Sequence, residues 1–150
     1  DDATWLSRRA PLGYGDSDIS TFVGFGNDPT RKAITTYFRG RFTVERPADV
    51  AGLLINMMSD DGAVVYLNGM ELFRNNMPAG VVTRNTLATQ SLSAPEEDAY
   101  YPFRPEAAAR LLVPGANLLA AELHQGDPAS SDLRFDLEVI AFVAPPTPPR

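Results

Sequence analysis

Cysteine is absent from the sequence, and histidine occurs once, as His124. The lack of thiols excludes a disulfide-bonded scaffold, a thiolate zinc site and a cysteine nucleophile. A single imidazole also excludes a metal site built from several histidines, and a Ser-His-Asp triad would have to use His124. The sequence lacks a Gly-x-Ser-x-Gly elbow, a phosphate-binding loop and a His-Glu-x-x-His motif as well. We therefore expect no catalytic activity from this chain.

Positive charge is also in short supply. Asp and Glu number 19 against 13 Lys and Arg, which gives a net charge of −6 at pH 7. A net-acidic domain repels phosphate groups, so we expect neither nucleic acid nor an anionic membrane as its partner. No apolar run reaches the roughly 18 residues that a membrane-spanning helix requires.

Glycine and proline, by contrast, are plentiful in a chain of otherwise ordinary globular composition. The 150 residues include 11 Gly and 13 Pro, with 44% hydrophobic and 21% charged residues. This content favours a loop-rich β protein of one domain over a helical bundle. Proline dominates the end of the sequence and prefers extended geometry. We therefore expect a β-sandwich module at residues 1–143 and a Pro-rich linker to another domain at residues 144–150.

Alternation of apolar and polar side chains identifies the predicted strands. It runs through residues 34–44, 117–124 and 133–143, and this period of two is typical of half-buried strands. Residues 53–58 and 63–67 are apolar on both sides, as expected of central strands. Many short strands separated by turns predict an all-β protein, namely an antiparallel β-sandwich.

Turn residues connect these predicted strands. Asn68-Gly69 suits a two-residue type I′ hairpin, because both residues tolerate positive φ. Residues 105–112 begin with proline, contain three alanines and predict one or two helical turns. Residues 1–33 are rich in Gly, Asp, Ser and Pro and predict an ordered loop. We expect Trp5, the single tryptophan, to fill the core near this loop.

Several motifs of the chain, taken in order, resemble a galactose-binding-like jelly-roll module of large secreted bacterial proteins. They are Pro11-Leu12-Gly13-Tyr14-Gly15-Asp16, Thr35-Thr36-Tyr37-Phe38-Arg39, Asp60-Asp61-Gly62 through Asn68-Gly69, Arg74-Asn75-Asn76-Met77-Pro78-Ala79-Gly80, Glu122-Leu123-His124-Gln125 and Ser130-Ser131-Asp132-Leu133-Arg134-Phe135-Asp136. Such modules lie beside metallophosphoesterase, lamin-tail, fibronectin-type or glycoside-hydrolase domains. The resemblance implies a jelly-roll fold, secretion and an accessory role beside a catalytic domain of the same polypeptide.

Paired carboxylates at a turn make Asp60 and Asp61 the candidate metal ligands. Oxygen ligands of this kind suit Ca²⁺, which could in turn hold sugar hydroxyls. The alternative is a turn whose aspartates only cap backbone amides. The segment Asp60 to Gly69 is also similar to the core of the protective-antigen-type lectin domain. That resemblance implies an Asp pair that binds calcium, and a calcium ion that binds the glycan.

Candidate carbohydrate ligands come from the polar strand faces and from an aromatic pair that follows an acidic loop. Planar aromatic rings accept the C–H faces of sugars, and Arg, Asp and Glu pair with the hydroxyls. The alternative is a solvated outer face with cross-strand ion pairs, in which a carboxylate satisfies the histidine. The candidate residues are Tyr37, Arg39, Tyr101, Glu122, His124, Arg134 and Asp136.

Three functions therefore stay open on the sequence. The first is a non-catalytic carbohydrate-binding module that keeps a secreted enzyme on a polysaccharide, where tethering makes weak binding sufficient. The second is a structural domain that packs on a neighbouring catalytic domain. The third is a calcium-dependent adhesion module that uses Asp60 and Asp61.

Overall fold

A computed structural model describes residues 4–143 of the chain. The predicted linker at residues 144–150 lies outside the described residues and stays a prediction. No helix in the described part is long and apolar enough to cross a membrane.

Nine strands in the described part form two sheets. They are β1 (Leu12–Tyr14), β2 (Thr21–Phe22), β3 (Thr35–Val44), β4 (Val50–Asp60), β5 (Gly62–Leu67), β6 (Met70–Asn75), β7 (Tyr101–Phe103), β8 (Gly115–His124) and β9 (Leu133–Val143). The five-stranded sheet has the order β2-β1-β9-β4-β7, and the four-stranded sheet has the order β3-β8-β5-β6. All pairs are antiparallel except the short parallel pair β1–β2. The predicted all-β sandwich of jelly-roll type is confirmed.

Alternating side chains of the two sheets meet in one core. Ile55 and Met57 of β4 face Val65 of β5 and Leu123 of β8, and all four side chains are fully buried. Two stacked aromatic pairs join the sheets, with ring centroids 4.6 Å apart for Phe38–Phe135 and 4.2 Å apart for Phe73–Phe103. Each such pair contributes about 0.5–1.5 kcal/mol beyond the burial of its area.

The hairpin and the helical turn agree with their sequence patterns. Asn68 and Gly69 have φ values of 51° and 83° between β5 and β6, as a type I′ turn requires. Two 3₁₀ turns are present in the described residues, at Pro47–Asp49 and at Ala108–Leu111, and the second falls inside the predicted helical segment. The N-terminal segment differs from its prediction, because it contains the two short strands β1 and β2.

One long connection, residues 76–100 between β6 and β7, covers outward-facing parts of both sheets. Its first part packs closely on the four-stranded sheet at Gly62, where a Cβ atom would lie 2.8 Å from the carbonyl oxygen of Asn76. Its last part lies on the five-stranded sheet, where the Tyr100 hydroxyl donates a hydrogen bond of 2.7 Å to Asp136. This covering explains why Met58 and Val64, which point away from the core, are nevertheless buried.

Candidate functional site

The seven predicted carbohydrate ligands do not form one site. Tyr37, Arg39, Glu122 and His124 lie on β3 and β8 of the four-stranded sheet. Tyr101, Arg134 and Asp136 lie on β7 and β9 of the five-stranded sheet. Because the sheets pack face to face, outward-pointing side chains of the two groups lie on opposite sides of the molecule.

Glu122 is the centre of the polar cluster on the four-stranded sheet. It is paired in register with Tyr37, and one of its carboxylate oxygens accepts a hydrogen bond from the Tyr66 hydroxyl. Burial, and then the negative charge of Glu122, raise the pKa of Tyr37. Burial, followed by the hydrogen bond to Glu122, also raises the pKa of Tyr66. Both tyrosines therefore remain neutral hydroxyl groups next to an acceptor.

His124 lies under this surface and is fully buried. Its Nδ1 atom is 2.7 Å from the carbonyl oxygen of Thr86 and 3.0 Å from the Thr35 hydroxyl oxygen. A carbonyl oxygen only accepts, so Nδ1 carries a hydrogen and donates it to Thr86. The other ring nitrogen, Nε2, lies 3.5 Å from Glu122. His124 therefore holds the first part of the connection 76–100 on the sheet, and it is not accessible to a ligand.

A groove of about 580 Å³ lies beside the polar cluster, between the outer side of β3 and the N-terminal segment. Exposed aromatic rings line it, since Trp5 is 45%, Phe22 66% and Tyr37 47% exposed. The guanidinium of Arg39 lies 4.4 Å from the centroid of the Trp5 ring, in a cation–π contact. The expectation that Trp5 fills the core is wrong, because its ring packs on the outer side of β3 instead.

Two of the residues predicted on the five-stranded sheet, Arg134 and Asp136, are already engaged by neighbouring residues. The Arg134 guanidinium contacts Asp18 and Asp98, and its side chain is 12% exposed. Asp136 accepts hydrogen bonds of 2.7 Å from the Tyr100 hydroxyl and from the Leu137 amide. This arrangement resembles the cross-strand network that was the alternative to a sugar site.

Tyr101 lies apart from the other two residues on this sheet. It is two residues from Phe103 on the edge strand β7, so the two side chains share the face that turns towards the other sheet. Its ring is 37% exposed at that edge.

Asp60 and Asp61 have different surroundings, although they are adjacent. The two carboxylate oxygens of Asp61 accept hydrogen bonds from the amides of Leu92 and Gly126, each at 2.5 Å. Asp60 instead points towards two other acidic residues, and carboxylate oxygens of Asp60, Glu97 and Asp132 all lie within 4.8 Å of one another.

Burial and mutual repulsion act on the proton affinity of this acidic group. Burial raises the pKa of Asp60 to about 9, and the side-chain hydrogen bond with Asp61 acts in the same direction, as do the charges of Asp61, Asp132 and Glu97. Burial, and then Asp132, also raise the pKa of Glu97 and of Asp16. Asp60 therefore favours its neutral, protonated form at pH 7, because a charge there would lie close to other carboxylates and away from water.

Sequence reasoning missed several residues that the structure brings together. Tyr66 lies in a strand that is apolar on both sides, so its period gives no sign of an exposed hydroxyl. Phe22 lies in a loop-like segment, where an exposed ring is expected, but no periodic pattern places it beside Trp5 and Tyr37. Glu97 and Asp132 lie in loops far from Asp60 in the sequence, and only the fold places them beside it.

Comparison with known proteins identifies solved structures of similar fold. No family model matches the chain, and no curated protein matches it. An α-L-rhamnosidase from Streptomyces avermitilis, crystallised with L-rhamnose, superposes with a TM-score of 0.51 at 14% identity, covering 81% of this chain and 10% of that one. A β-D-mannosidase from Dictyoglomus thermophilum superposes with a TM-score of 0.40 at 17% identity, covering 64% of this chain and 9% of that one.

Both neighbours are glycoside hydrolases, and this chain spans about a tenth of the length of either. At such low identity, the similarity to the rhamnosidase shows the fold alone. The chain is therefore a jelly-roll β-sandwich whose architecture also occurs within a much larger carbohydrate-active enzyme.

Proposed function

We propose that this chain is a non-catalytic carbohydrate-binding module, and that the sugar binds in the groove beside β3. The observation that carries the proposal is the set of three exposed aromatic rings, Trp5, Phe22 and Tyr37, around one concave surface. Pockets for small ligands are typically concave, lined by aromatic side chains and supplied with a few polar groups. The flat rings would contact the C–H faces of a sugar.

The polar groups next to the rings match the hydroxyl edges of a sugar. The Tyr37 hydroxyl donates and accepts hydrogen bonds, and the carboxylate of Glu122 beside it is an acceptor. Arg84 lies close enough to Tyr37 to lower its pKa and brings a cation to the same surface. Hydrogen-bond donors and acceptors therefore lie next to Tyr37, one of the rings that line the groove.

The module would act by holding an attached enzyme on its substrate. In this proposal a catalytic domain belongs to the same secreted polypeptide, and the module raises its local concentration at a polysaccharide. The similarity to a part of a rhamnosidase that was crystallised with L-rhamnose is in keeping with a carbohydrate context. Weak affinity for a single binding site is sufficient under such tethering.

The test compares sugar binding by the wild-type chain and by variants of the groove. We expect a glycan array, followed by calorimetry with plant and algal polysaccharides, to identify a ligand. Replacing Tyr37 or Phe22 with Ala should weaken its binding by about 5- to 30-fold, which corresponds to about 1–2 kcal/mol for the loss of an aromatic contact.

Tyr101→Ala is the matched control, because Tyr101 is an exposed tyrosine at the edge of the other sheet. It should leave sugar binding unchanged. Equal losses in Tyr37→Ala and Tyr101→Ala would contradict the assignment of the groove. A lack of binding to every glycan and polysaccharide tested would contradict the proposed function itself.

A second function is favoured by the strongly exposed Leu6, which lines the same groove as Trp5 and Phe22. Exposed apolar side chains in a groove also suit a structural role, in which the module packs on a neighbouring catalytic domain. In that case the melting transition of the module should shift when the neighbouring domain is attached. Independent melting of the two domains would contradict this function.

A further inference from the structure

We propose that Asp60, Glu97 and Asp132 bind a divalent cation, and that this ion is Ca²⁺. The site lies on the outer side of the five-stranded sheet, where the end of β4 meets the segments before β7 and β9. It is distinct from the carbohydrate groove, which lies between β3 and the N-terminal segment. It also differs from the pair Asp60 and Asp61 that the sequence indicates.

The spacing of the three carboxylates fits one ion. Their oxygen atoms lie within 4.8 Å of one another. Oxygen ligands lie about 2.3–2.6 Å from Ca²⁺, so two ligands of the same ion are at most about 5.2 Å apart. Each pair of these oxygens is therefore close enough to share one Ca²⁺.

The second, independent observation is the state of Asp60 itself. Its side chain is almost wholly buried, with the residue 2% exposed, and its Oδ2 atom has no hydrogen-bond partner among the described residues. A buried carboxyl oxygen without a hydrogen-bond partner is costly, because it has lost its contacts with water. Its register partner Arg134 directs its guanidinium to Asp18 and Asp98 instead. A cation at this position would supply the missing partner.

Asp61 positions the site and does not belong to its ligands. Its two oxygens hold the amides of Leu92 and Gly126, which lie in the segments that carry Glu97 and Asp132. The two segments are also in direct contact, since a Cβ atom on Gly126 would lie 2.5 Å from the Ser91 hydroxyl oxygen. Asp61 therefore holds both segments next to Asp60 at Leu92 and Gly126 before an ion arrives.

The ligand set favours Ca²⁺ over other ions. Carboxylate oxygens are hard ligands, which select Ca²⁺, Mg²⁺ or Mn²⁺ over the metals that prefer imidazole or thiolate. Mg²⁺ requires ligands at about 2.0–2.1 Å, so two of its ligands are at most about 4.2 Å apart. A spacing of up to 4.8 Å accommodates the larger ion, whereas Mg²⁺ would require all three oxygens to lie within about 4.2 Å of one another.

The experiment uses the chelator-treated chain and the metal salts alone. Titration calorimetry with CaCl₂ should show one ion per chain, and MgCl₂ should bind at least tenfold more weakly. At a free Ca²⁺ concentration about 100 times the Kd, the Tm should rise by about 5–10 °C, as expected for a ligand that binds only the folded state.

Two variants and one matched control locate the site. Glu97→Gln and Asp132→Asn should each weaken Ca²⁺ binding at least tenfold and abolish most of the rise in Tm. Glu96→Gln makes the same chemical change at the adjacent, exposed residue and should bind as the wild type does. Circular dichroism in chelator would establish that each variant is folded.

Three results would overturn the proposal. These are an unchanged Tm in 10 mM CaCl₂, wild-type affinity in Glu97→Gln or Asp132→Asn, and equal affinity for Mg²⁺. Sugar binding is measured in chelator as well, so failure of the metal site and failure of the carbohydrate function are read from separate experiments.

Discussion

Asp61 holds two loops against the end of β4, and its replacement by Asn tests that role directly. In Asp61→Asn one carboxylate oxygen becomes an amide nitrogen, which cannot accept the hydrogen bond of Leu92 or Gly126. One charge-assisted hydrogen bond is then lost, and the backbone N–H group that donated it faces the NH₂ group of the new side chain. A hydrogen bond to a charged group contributes about 1.5–3 kcal/mol, and an unsatisfied buried donor costs about 1–3 kcal/mol. These effects overlap, so we expect the free energy of unfolding to fall by about 2–4 kcal/mol.

Urea denaturation in chelator measures this loss without a contribution from bound metal. The midpoint should fall with an unchanged m value, and the Tm should fall by roughly 5–15 °C for a chain of this length. Asp127→Asn is the control, because Asp127 accepts a similar hydrogen bond of 2.7 Å from the Ala129 amide in an exposed turn. It should cost less than about 1 kcal/mol. Equal losses in the two variants would refute the claim that Asp61 fastens the loops.

Three further substitutions test other contacts of the fold. Gly126→Ala should destabilise the chain by about 1–3 kcal/mol in urea denaturation, because the added methyl group collides with Ser91 in the neighbouring loop. Wild-type stability of this variant would contradict the close approach. His124→Ala should release the first part of the connection 76–100 and accelerate tryptic cleavage after Arg84. An unchanged cleavage rate would show that other contacts hold this part of the connection. Tyr66→Phe should cost about 1.5–3 kcal/mol, since it removes the hydroxyl that donates to Glu122, and a loss below about 0.5 kcal/mol would contradict that bond.

The long strands could be predicted from the sequence because each carries its own periodic signal. Residues 34–44 and 133–143 alternate over ten or eleven positions, and they correspond to β3 and β9. The turn Asn68-Gly69 likewise determines the hairpin locally. Strands β1, β2 and β7 contain only two or three residues, which is too short for a period to be visible. They exist because they add to the edges of a sheet that the longer strands have already formed.

The site was less predictable than the fold, since it depends on contacts between distant segments. Asp60 was identified from its turn, but the neighbours that matter, Glu97 and Asp132, come from loops without a pattern. The predicted sugar ligands lie on two different sheets, because strands of similar polarity occur in both. The sequence does not show which strands are neighbours. Trp5 was misplaced for the same reason, because its contact with Arg39 depends on where the N-terminal segment crosses β3.

The connection between β6 and β7 gives the molecule a physical tie between its two sides. One stretch of 25 residues (76–100) places Arg84 beside Tyr37 and, farther along, Glu97 beside Asp60. An ion that immobilised Glu97 would shorten the part of this stretch that is free to fluctuate near the groove, and shorter free segments lose less entropy on ordering. Cation and sugar would then assist each other's binding, and thermodynamic reciprocity requires both effects to have the same size.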